Sequence, residues 1–334
     1  MSIKGYTNYT FHTHKINKLM SKGIGKKLSE PASTALFLQT MLDNTGQMGG
    51  LEAITIGFER LWAESDRHAI FIKDTNVYNN LSKGKFDITS IEALDIPFKS
   101  AIIHFPNDLK IQCGDKLITP PAVLVSIATT DERRDMMCGL YPNRRINFVD
   151  EAAGVTVSLS YPDPFEKPIS GFINTVRSNL RMPLSELQEC LDNPLEYLAD
   201  LFNREHRNAS ATHKPFMKDM QQPDMQLQAA YLRLVASLIV YVNANPKALQ
   251  DGLPQGVKLA QIAPSKSLMP KSGYTFADDT LSGDSRSVHF RRWHLRQLWH
   301  DRFYHGEHEG KQAGSRVVFV KASMVGDAKP LTVV

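Results

Sequence analysis

The spacing of apolar residues predicts helices in the first part of the chain. Apolar positions recur at helical intervals in a stretch that begins at Pro31 and again over residues 51–62, with a glycine-rich break between the two. Residues 1–30 are different, because six lysines stand there against one acid, Glu30. We expect them to form a solvated, partly frayed arm, and contact with a phosphate-rich partner is the alternative.

From residue 67 the pattern becomes typical of strands. Short apolar and β-branched runs occur at 69–72, 102–105, 122–128, 146–149 and 155–159. No long helical pattern separates these runs, so hairpins explain them more simply than crossovers. Residues 67–161 are therefore predicted to form one mostly antiparallel sheet.

The C-terminal half reads as mainly helical. Leucines at helical spacing predict a helix over 184–204 with a break at Pro194, and the apolar stretch 225–243 predicts a buried central helix that stops before Pro246. The polar stretch 250–285 is predicted to be an extended connector. The expected fold is α+β, with sections 1–66 (basic arm and N-terminal helices), 67–161 (sheet) and 162–334 (helical region with a basic, aromatic C-terminal helix and a returning strand).

Composition narrows the class of protein. The 334 residues are 42% hydrophobic, which excludes whole-chain disorder. A net charge of +4 is too small to imply nucleic-acid binding by itself. Three scattered cysteines favour a reducing cytoplasm over a disulfide framework. With no apolar leader, and a longest apolar stretch shorter than about 20 residues, we expect a soluble protein.

Basic and aromatic residues concentrate near the C-terminus. Residues 288–303 read VHFRRWHLRQLWHDRF, and eight Lys or Arg stand against three acids between residues 286 and 321. A helix starting near Phe290 puts Leu295, Leu298, Trp299 and Phe303 on one core-facing side, whereas a strand separates alternate residues. In either geometry guanidinium, imidazole and indole groups lie close together, which suits recognition of carboxylate or phosphate with stacking.

This cluster supplies the candidate peptide- or RNA-binding residues, with a closing helix and a solvated basic face as the plain alternative. The candidates are His289, Arg291, Arg292, Trp293, His294, Arg296, Trp299 and Arg316. Phosphate-binding, serine-hydrolase and zinc-protease motifs do not occur in the sequence. No cofactor, metal or catalytic residue is therefore predicted.

The same segment carries a resemblance to a known family. The sequence HFRRWH at 289–294, the aromatic residues after it and the strand at 317–320 followed by Met324 are similar to the C-terminus of the second type V-A anti-CRISPR family. Weaker similarity lies at 102–106 and 231–246. Members of that family are inhibitors carried by phages and plasmids.

The resemblance implies a non-enzymatic inhibitor in the cytoplasm of a bacterial host. Its target is the N-terminal peptide of a type V-A CRISPR effector nuclease during translation, and host RNA-decay factors then destroy the message. Such a protein needs a groove or sheet edge for an extended peptide, and basic groups able to meet ribosome or mRNA. No membrane partner is implied.

Two alternatives remain open at the level of sequence. His289 and His294 with a neighbouring arginine have the residue types of a metal-free ribonuclease, in which one imidazole takes the 2′-hydroxyl proton and the other protonates the leaving oxygen. The second alternative is an RNA-binding module unrelated to CRISPR.

Overall fold

The computed structural model describes residues 3–45, 50–87, 95–140, 154–165, 180–208, 222–263, 265–266, 268–277, 290–291, 294–320 and 323–324. The α-helices in these ranges are α1 (His12–Ile24), α2 (Glu30–Thr45), α3 (Gly50–Glu64), α4 (Thr75–Lys83), α5 (Thr130–Leu140), α6 (Leu187–Asp192), α7 (Pro194–Asn208), α8 (Gln222–Ala244) and α9 (Leu259–Ile262). The strands are β1 (His68–Ile72), β2 (Lys85–Asp87), β3 (Ser100–His104), β4 (Ile111–Cys113), β5 (Lys116–Ile118), β6 (Val123–Ala128), β7 (Thr156–Ser160), β8 (Leu180–Pro183), β9 (Leu249–Asp251), β10 (Ser272–Phe276), β11 (Phe290–Arg291), β12 (His294–Leu298), β13 (Arg316–Val320) and β14 (Ser323–Met324).

A seven-stranded sheet with helices on both faces forms the centre of the α+β fold and confirms the predicted class. Its order is β8-β7-β6-β3-β1-β10-β9. Four of the six strand pairs are antiparallel, while β1 runs parallel to both β3 and β10. The expectation that hairpins alone join the strands is therefore wrong, because α4 makes a crossover between β1 and β3. The predicted strand at 146–149 lies outside the described residues.

The sheet also extends beyond the predicted section 67–161. Strands β8, β9 and β10 come from later in the chain, and β10 lies between β1 and β9. The prediction of an extended connector over 250–285 is thus wrong for 249–251 and 272–276. Small and polar residues in β10 (SGYTF) conceal it, because only Phe276 in that strand is fully buried.

One face of the sheet packs against α8. This helix is 23 residues long and its residues from Leu227 to Tyr241 are mostly buried, in one cluster with Ile70, Ile103 and Val125 of the sheet. By length and composition Pro223–Ala244 passes as a candidate membrane span, and 78% of its most apolar window is buried inside the protein. That burial is what a central core helix requires.

The opposite face is covered by the N-terminal part of the chain. Phe58 and Trp62 of α3 pack on Ile102 and Leu124, and Phe11 lies against Trp62 with ring centroids 5.4 Å apart. The expectation of a frayed arm is wrong here. Lys18 and Lys22 stand on the outer side of α1, while Ile16 on the helix and Tyr9 and Phe11 just before it are buried. The many lysines mask this buried side in the sequence.

A buried carboxylate from α3 holds the start of α1. Glu59 accepts the backbone N–H groups of His12 and Thr13 at 2.6 and 2.8 Å, and the hydroxyls of Thr13 and Tyr9 at 2.7 and 3.1 Å. It therefore satisfies amide donors that a helix N-terminus leaves without intrahelical partners. Burial raises the pKa of Glu59 to about 7, although the bonds from Thr13, His12 and Tyr9 oppose that rise.

His104, at the end of β3, is a fully buried histidine on the same face. Its Nδ1 lies 2.9 Å from the carbonyl oxygen of Thr7, and its ring stacks on Phe71 with centroids 4.5 Å apart. Burial lowers the pKa of His104 to about 4, although the bond to Thr7 opposes that fall. The imidazole is thus held neutral, because charging it places an uncompensated cation in the core.

The buried imidazole makes the stability of the fold sensitive to acid. Its folded pKa lies below the ordinary value of 6.5, so the stabilisation is complete above that pH and is lost as pH falls towards 4. We expect the wild-type protein to lose about 2 kcal/mol more between pH 7 and pH 5 than His104→Phe, which retains an aromatic ring on Phe71. Urea unfolding at both pH values measures this difference, and parallel losses in the two proteins would contradict the assignment.

Candidate functional site

The basic, aromatic segment near the C-terminus is a pair of strands and not a helix. β12 pairs antiparallel with β13, and the short β11 pairs antiparallel with β14. The predicted C-terminal helix with a shared face of Leu295, Leu298, Trp299 and Phe303 is wrong, and the strand alternative describes the segment. Burial alternates over residues 295–297, with Leu295 and Gln297 buried and Arg296 exposed, and Leu298 at the end of the strand is buried as well. This period of two is the strand signature.

Strands β12 and β13 form a second sheet together with β2, in the order β13-β12-β2. The predicted return of the last strand to the central sheet is therefore wrong: β13 pairs with β12 and packs on α8. Leu295 and Val317 join the buried cluster of that helix, and the ring of Phe319 meets Tyr241 edge-on at 6.1 Å. One face of the second sheet is anchored to the core, and Arg296 lies on the other.

A single tyrosine hydroxyl organises the connection between β12 and β13. Tyr304 donates to the carbonyl oxygen of Leu298 at 2.5 Å and accepts the N–H groups of Gly314 and Arg316 at 2.7 and 3.2 Å. The side-chain amide of Gln297 adds a bond to the carbonyl oxygen of Gly314. These bonds hold the long turn against the strand ends, so its shape does not depend on apolar packing alone.

Trp299 lies over the backbone of Gly314. Its indole is 43% exposed, and a Cβ atom at position 314 would be only 2.7 Å from the ring. Gly314 also has a left-handed φ of +85°, which side-chain-bearing residues rarely adopt. Glycine is thus required here both for its backbone conformation and for the space that the indole fills.

The described basic side chains of the candidate set have different surroundings. Arg296 is exposed on β12, and Arg316 at the start of β13 donates from Nη1 to the carbonyl oxygen of Phe303. The guanidinium of Arg302, which the sequence did not single out, lies 4.7 Å from the ring centroid of Phe303. The structure therefore brings Arg296, Trp299 and Arg316 to one small sheet, and Arg316 partly fixes the turn.

The remaining candidates are placed only in part. His289, Arg292 and Trp293 lie outside the described residues. For Arg291 and His294 the backbone register is defined, opposite Ser323 and Val320 respectively. The ribonuclease alternative depends on His289 together with His294, so it stays a prediction.

The outer side of β13 is an open sheet edge within the described part of the chain. β13 pairs with β12 on one side and has no neighbour on the other. Arg316 lies opposite Leu298, and the Tyr304 hydroxyl bridges the N–H of Arg316 and the carbonyl oxygen of Leu298, so the N–H of Arg316 faces β12. Because the N–H and C=O groups of an antiparallel strand alternate in direction, Val317 and Phe319 present theirs on the outer side. The sequence suggested a peptide edge only in general terms and did not indicate this one.

The described residues contain no group of three or more His, Cys, Asp or Glu side chains that could hold a metal ion. Two open surface clefts occur elsewhere. One, of about 260 Å³, lies between α3 and α5, and the other, of about 450 Å³, lies beside Tyr6 and Asp74. No protein-family model, curated protein or solved structure matches this chain.

Proposed function

We propose that this protein binds an extended peptide by adding it as a strand to the outer edge of β13. The observation that carries the proposal is the open edge of β13 within the described residues. Strand addition takes its affinity from main-chain hydrogen bonds and its selectivity from nearby side chains. The indole of Trp299 lies over Gly314, just before β13, and Arg296 is exposed on the neighbouring strand. These groups suit a peptide with aromatic and acidic side chains.

The shortness of β13 suits an edge strand that is left open to a peptide. Edge strands are hazards for aggregation unless they are short or covered. β13 has five residues, and Val317 and Phe319 alternate with the outer-face valines. Anchoring on α8 keeps the strand extended before binding, so little ordering entropy is lost by the protein when the peptide arrives.

The resemblance of residues 289–325 to the second type V-A anti-CRISPR family supplies the target class. On this proposal the peptide is the N-terminus of a type V-A CRISPR effector nuclease, taken during translation in the bacterial cytoplasm. The protein itself recognises the peptide and catalyses nothing. Decay of the message falls to host RNA-decay factors, which act while the ribosome still holds both peptide and mRNA.

Proline substitution at the edge tests the mode of binding. Val317→Pro removes one outward N–H and leaves the β12–β13 ladder in place, because the outward amides of an edge strand do not take part in it. We expect its Kd for a synthetic N-terminal peptide of a type V-A effector nuclease to rise at least tenfold in calorimetry.

The matched control is Val317→Thr, which keeps the N–H and the β-branched shape. We expect it to bind as the wild type does. If the proline and threonine variants bind the peptide equally well, β13 is not the binding edge. A fold check by thermal unfolding accompanies both variants.

A further inference from the structure

The exposed side of the N-terminal helices carries a second surface. We propose that Lys18, Lys22, Lys26 and Lys27, here called the lysine surface, bind the phosphate backbone of RNA without reading its sequence. Lys18 and Lys22 lie one helical turn apart on α1, and the other two follow the end of that helix. All four are exposed.

The first argument is the absence of neutralising acids. Within the described residues none of the four lysines forms an ion pair. Basic residues elsewhere do, with N–O distances of 2.7–3.0 Å, in the pairs Arg60–Glu64, Lys99–Glu132, Arg134–Asp131 and Arg204–Glu186. The nearest acid in sequence, Glu30, lies 3.6 Å from His14 and accepts a hydrogen bond from Ser265. Positive charge is therefore concentrated and uncompensated on this surface, which suits a polyanion.

The second argument is rigidity. Glu59 holds the first turn of α1, and Gly25 closes the last turn in a left-handed conformation with φ of +70°. The side chain of Asn17 bonds to the carbonyl oxygen of Leu28 and to Ser33, which ties the segment after the helix to α1 and α2. Fixed positions let several ammonium groups meet successive phosphates without ordering a loop on binding.

Packing separates RNA from a membrane as the partner. Amphipathic helices that lie on lipid insert a free apolar face. The apolar face of α1 is already used, because Ile16 is buried in a cluster with Leu38, Ala53 and Ile56. Leu19 and Ile24 remain about half exposed, at 44% and 50%, and do not form such a face. What the surface offers is therefore charge.

This surface is separate from the peptide edge. α1 and α3 cover one face of the central sheet, while β12 and β13 pack with α8 on the other. RNA binding by the lysine surface does not require that β13 binds peptide, and each site has its own variants.

Salt-dependent RNA binding tests the inference. The full-length protein is titrated into a short fluorescein-labelled single-stranded RNA, and anisotropy is followed between about 50 and 200 mM salt. The triple variant Lys18→Gln/Lys22→Gln/Lys26→Gln is expected to bind at least tenfold more weakly. The slope of log affinity against log salt should become shallower by about 2, since each lost contact with a single strand removes about 0.7.

Two further proteins keep the test specific. Lys83→Gln/Lys116→Gln/Lys247→Gln removes the same charge from other exposed sites and is expected to leave the slope unchanged. Replacement of Lys18, Lys22 and Lys26 by arginine should retain RNA binding. Equal losses in the two glutamine triples would overturn the assignment to α1.

Two further experiments, with an acidic polypeptide and with lipid vesicles, test whether RNA is the partner. Poly-glutamate should compete poorly, and vesicles of phosphatidylserine and phosphatidylcholine should not capture the protein. Competition by poly-glutamate as strong as by RNA, or capture by the vesicles without RNA binding, would overturn the RNA assignment. Peptide affinity should be unaffected by the lysine substitutions, so failure here leaves the proposal for β13 standing.

Discussion

Replacement of Glu59 by alanine is expected to lower the free energy of unfolding by about 4 kcal/mol at pH 5, because four buried groups lose their hydrogen-bond partner. Two of them are the backbone N–H groups of His12 and Thr13, and the others are the hydroxyls of Thr13 and Tyr9. A buried donor left without a partner costs about 1–3 kcal/mol. The N-terminal residues should also become sensitive to protease, since the carboxyl joins α1 to α3.

The difference in free energy of unfolding between wild type and Glu59→Ala should become smaller as pH rises. Burial holds the pKa of Glu59 at about 7, above its ordinary value of 4.5, so the wild-type carboxyl stabilises the fold less once it must ionise. Between pH 5 and pH 8 the gap between wild type and Glu59→Ala is expected to narrow by about 2.5 kcal/mol. Urea unfolding at the two pH values measures the gap.

Glu64→Ala is the matched control. Glu64 is on the same helix but largely exposed, and it pairs with Arg60 at 2.7 Å. An exposed pair of this kind contributes less than about 1 kcal/mol. A loss in Glu59→Ala no larger than in Glu64→Ala would show that the start of α1 is not held as described.

Gly314→Ala is expected to lower the free energy of unfolding by about 1–2 kcal/mol, because of the left-handed backbone, and to raise the Kd for peptide at least tenfold. The new methyl would push aside the partly exposed indole of Trp299. Displacement of that indole changes the flank of the β13 edge. Urea unfolding and peptide calorimetry measure the two effects.

Gly310→Ala is the control that separates backbone strain from displacement of the Trp299 indole. Gly310 has nearly the same φ, +81°, but an added Cβ there would have nothing within 4 Å. We expect it to lose only the backbone share of stability and to bind peptide normally. If the two alanine variants weaken peptide binding equally, Trp299 is not part of the site.

Strong periodicity made much of the fold predictable. The helices α2, α3 and α8 and the strands β1, β3 and β6 lie where apolar spacing put them, and the helical stretch after residue 184 is interrupted at Asn193, next to Pro194. β10 was not predicted, because its small and polar residues do not alternate with apolar ones. The buried side of α1 was not predicted, because lysines dominate the composition of that segment.

The candidate site was predictable in residue type and not in geometry. Leucine and tryptophan at 295, 298 and 299 satisfy a helical spacing, and only pairing with the valines of β13 decides for a strand. The roles of Tyr304 and Gly314 depend on one hydroxyl meeting three backbone groups across 18 residues of chain, from Leu298 to Arg316. A pattern of neighbouring residues in the sequence does not predict a contact over this separation. Whether β13 lies at the edge of its sheet depends on which strands pair with it, and no single residue of the strand indicates that.

Backbone amide hydrogen exchange with and without the nuclease N-terminal peptide tests the central claim most directly. Strand addition to β13 predicts that the outward amide of Val317 exchanges more slowly in the complex, while the amides of α1 exchange as before. Protection confined to any other part of the chain, with the exchange of Val317 unchanged, would contradict peptide binding at this edge.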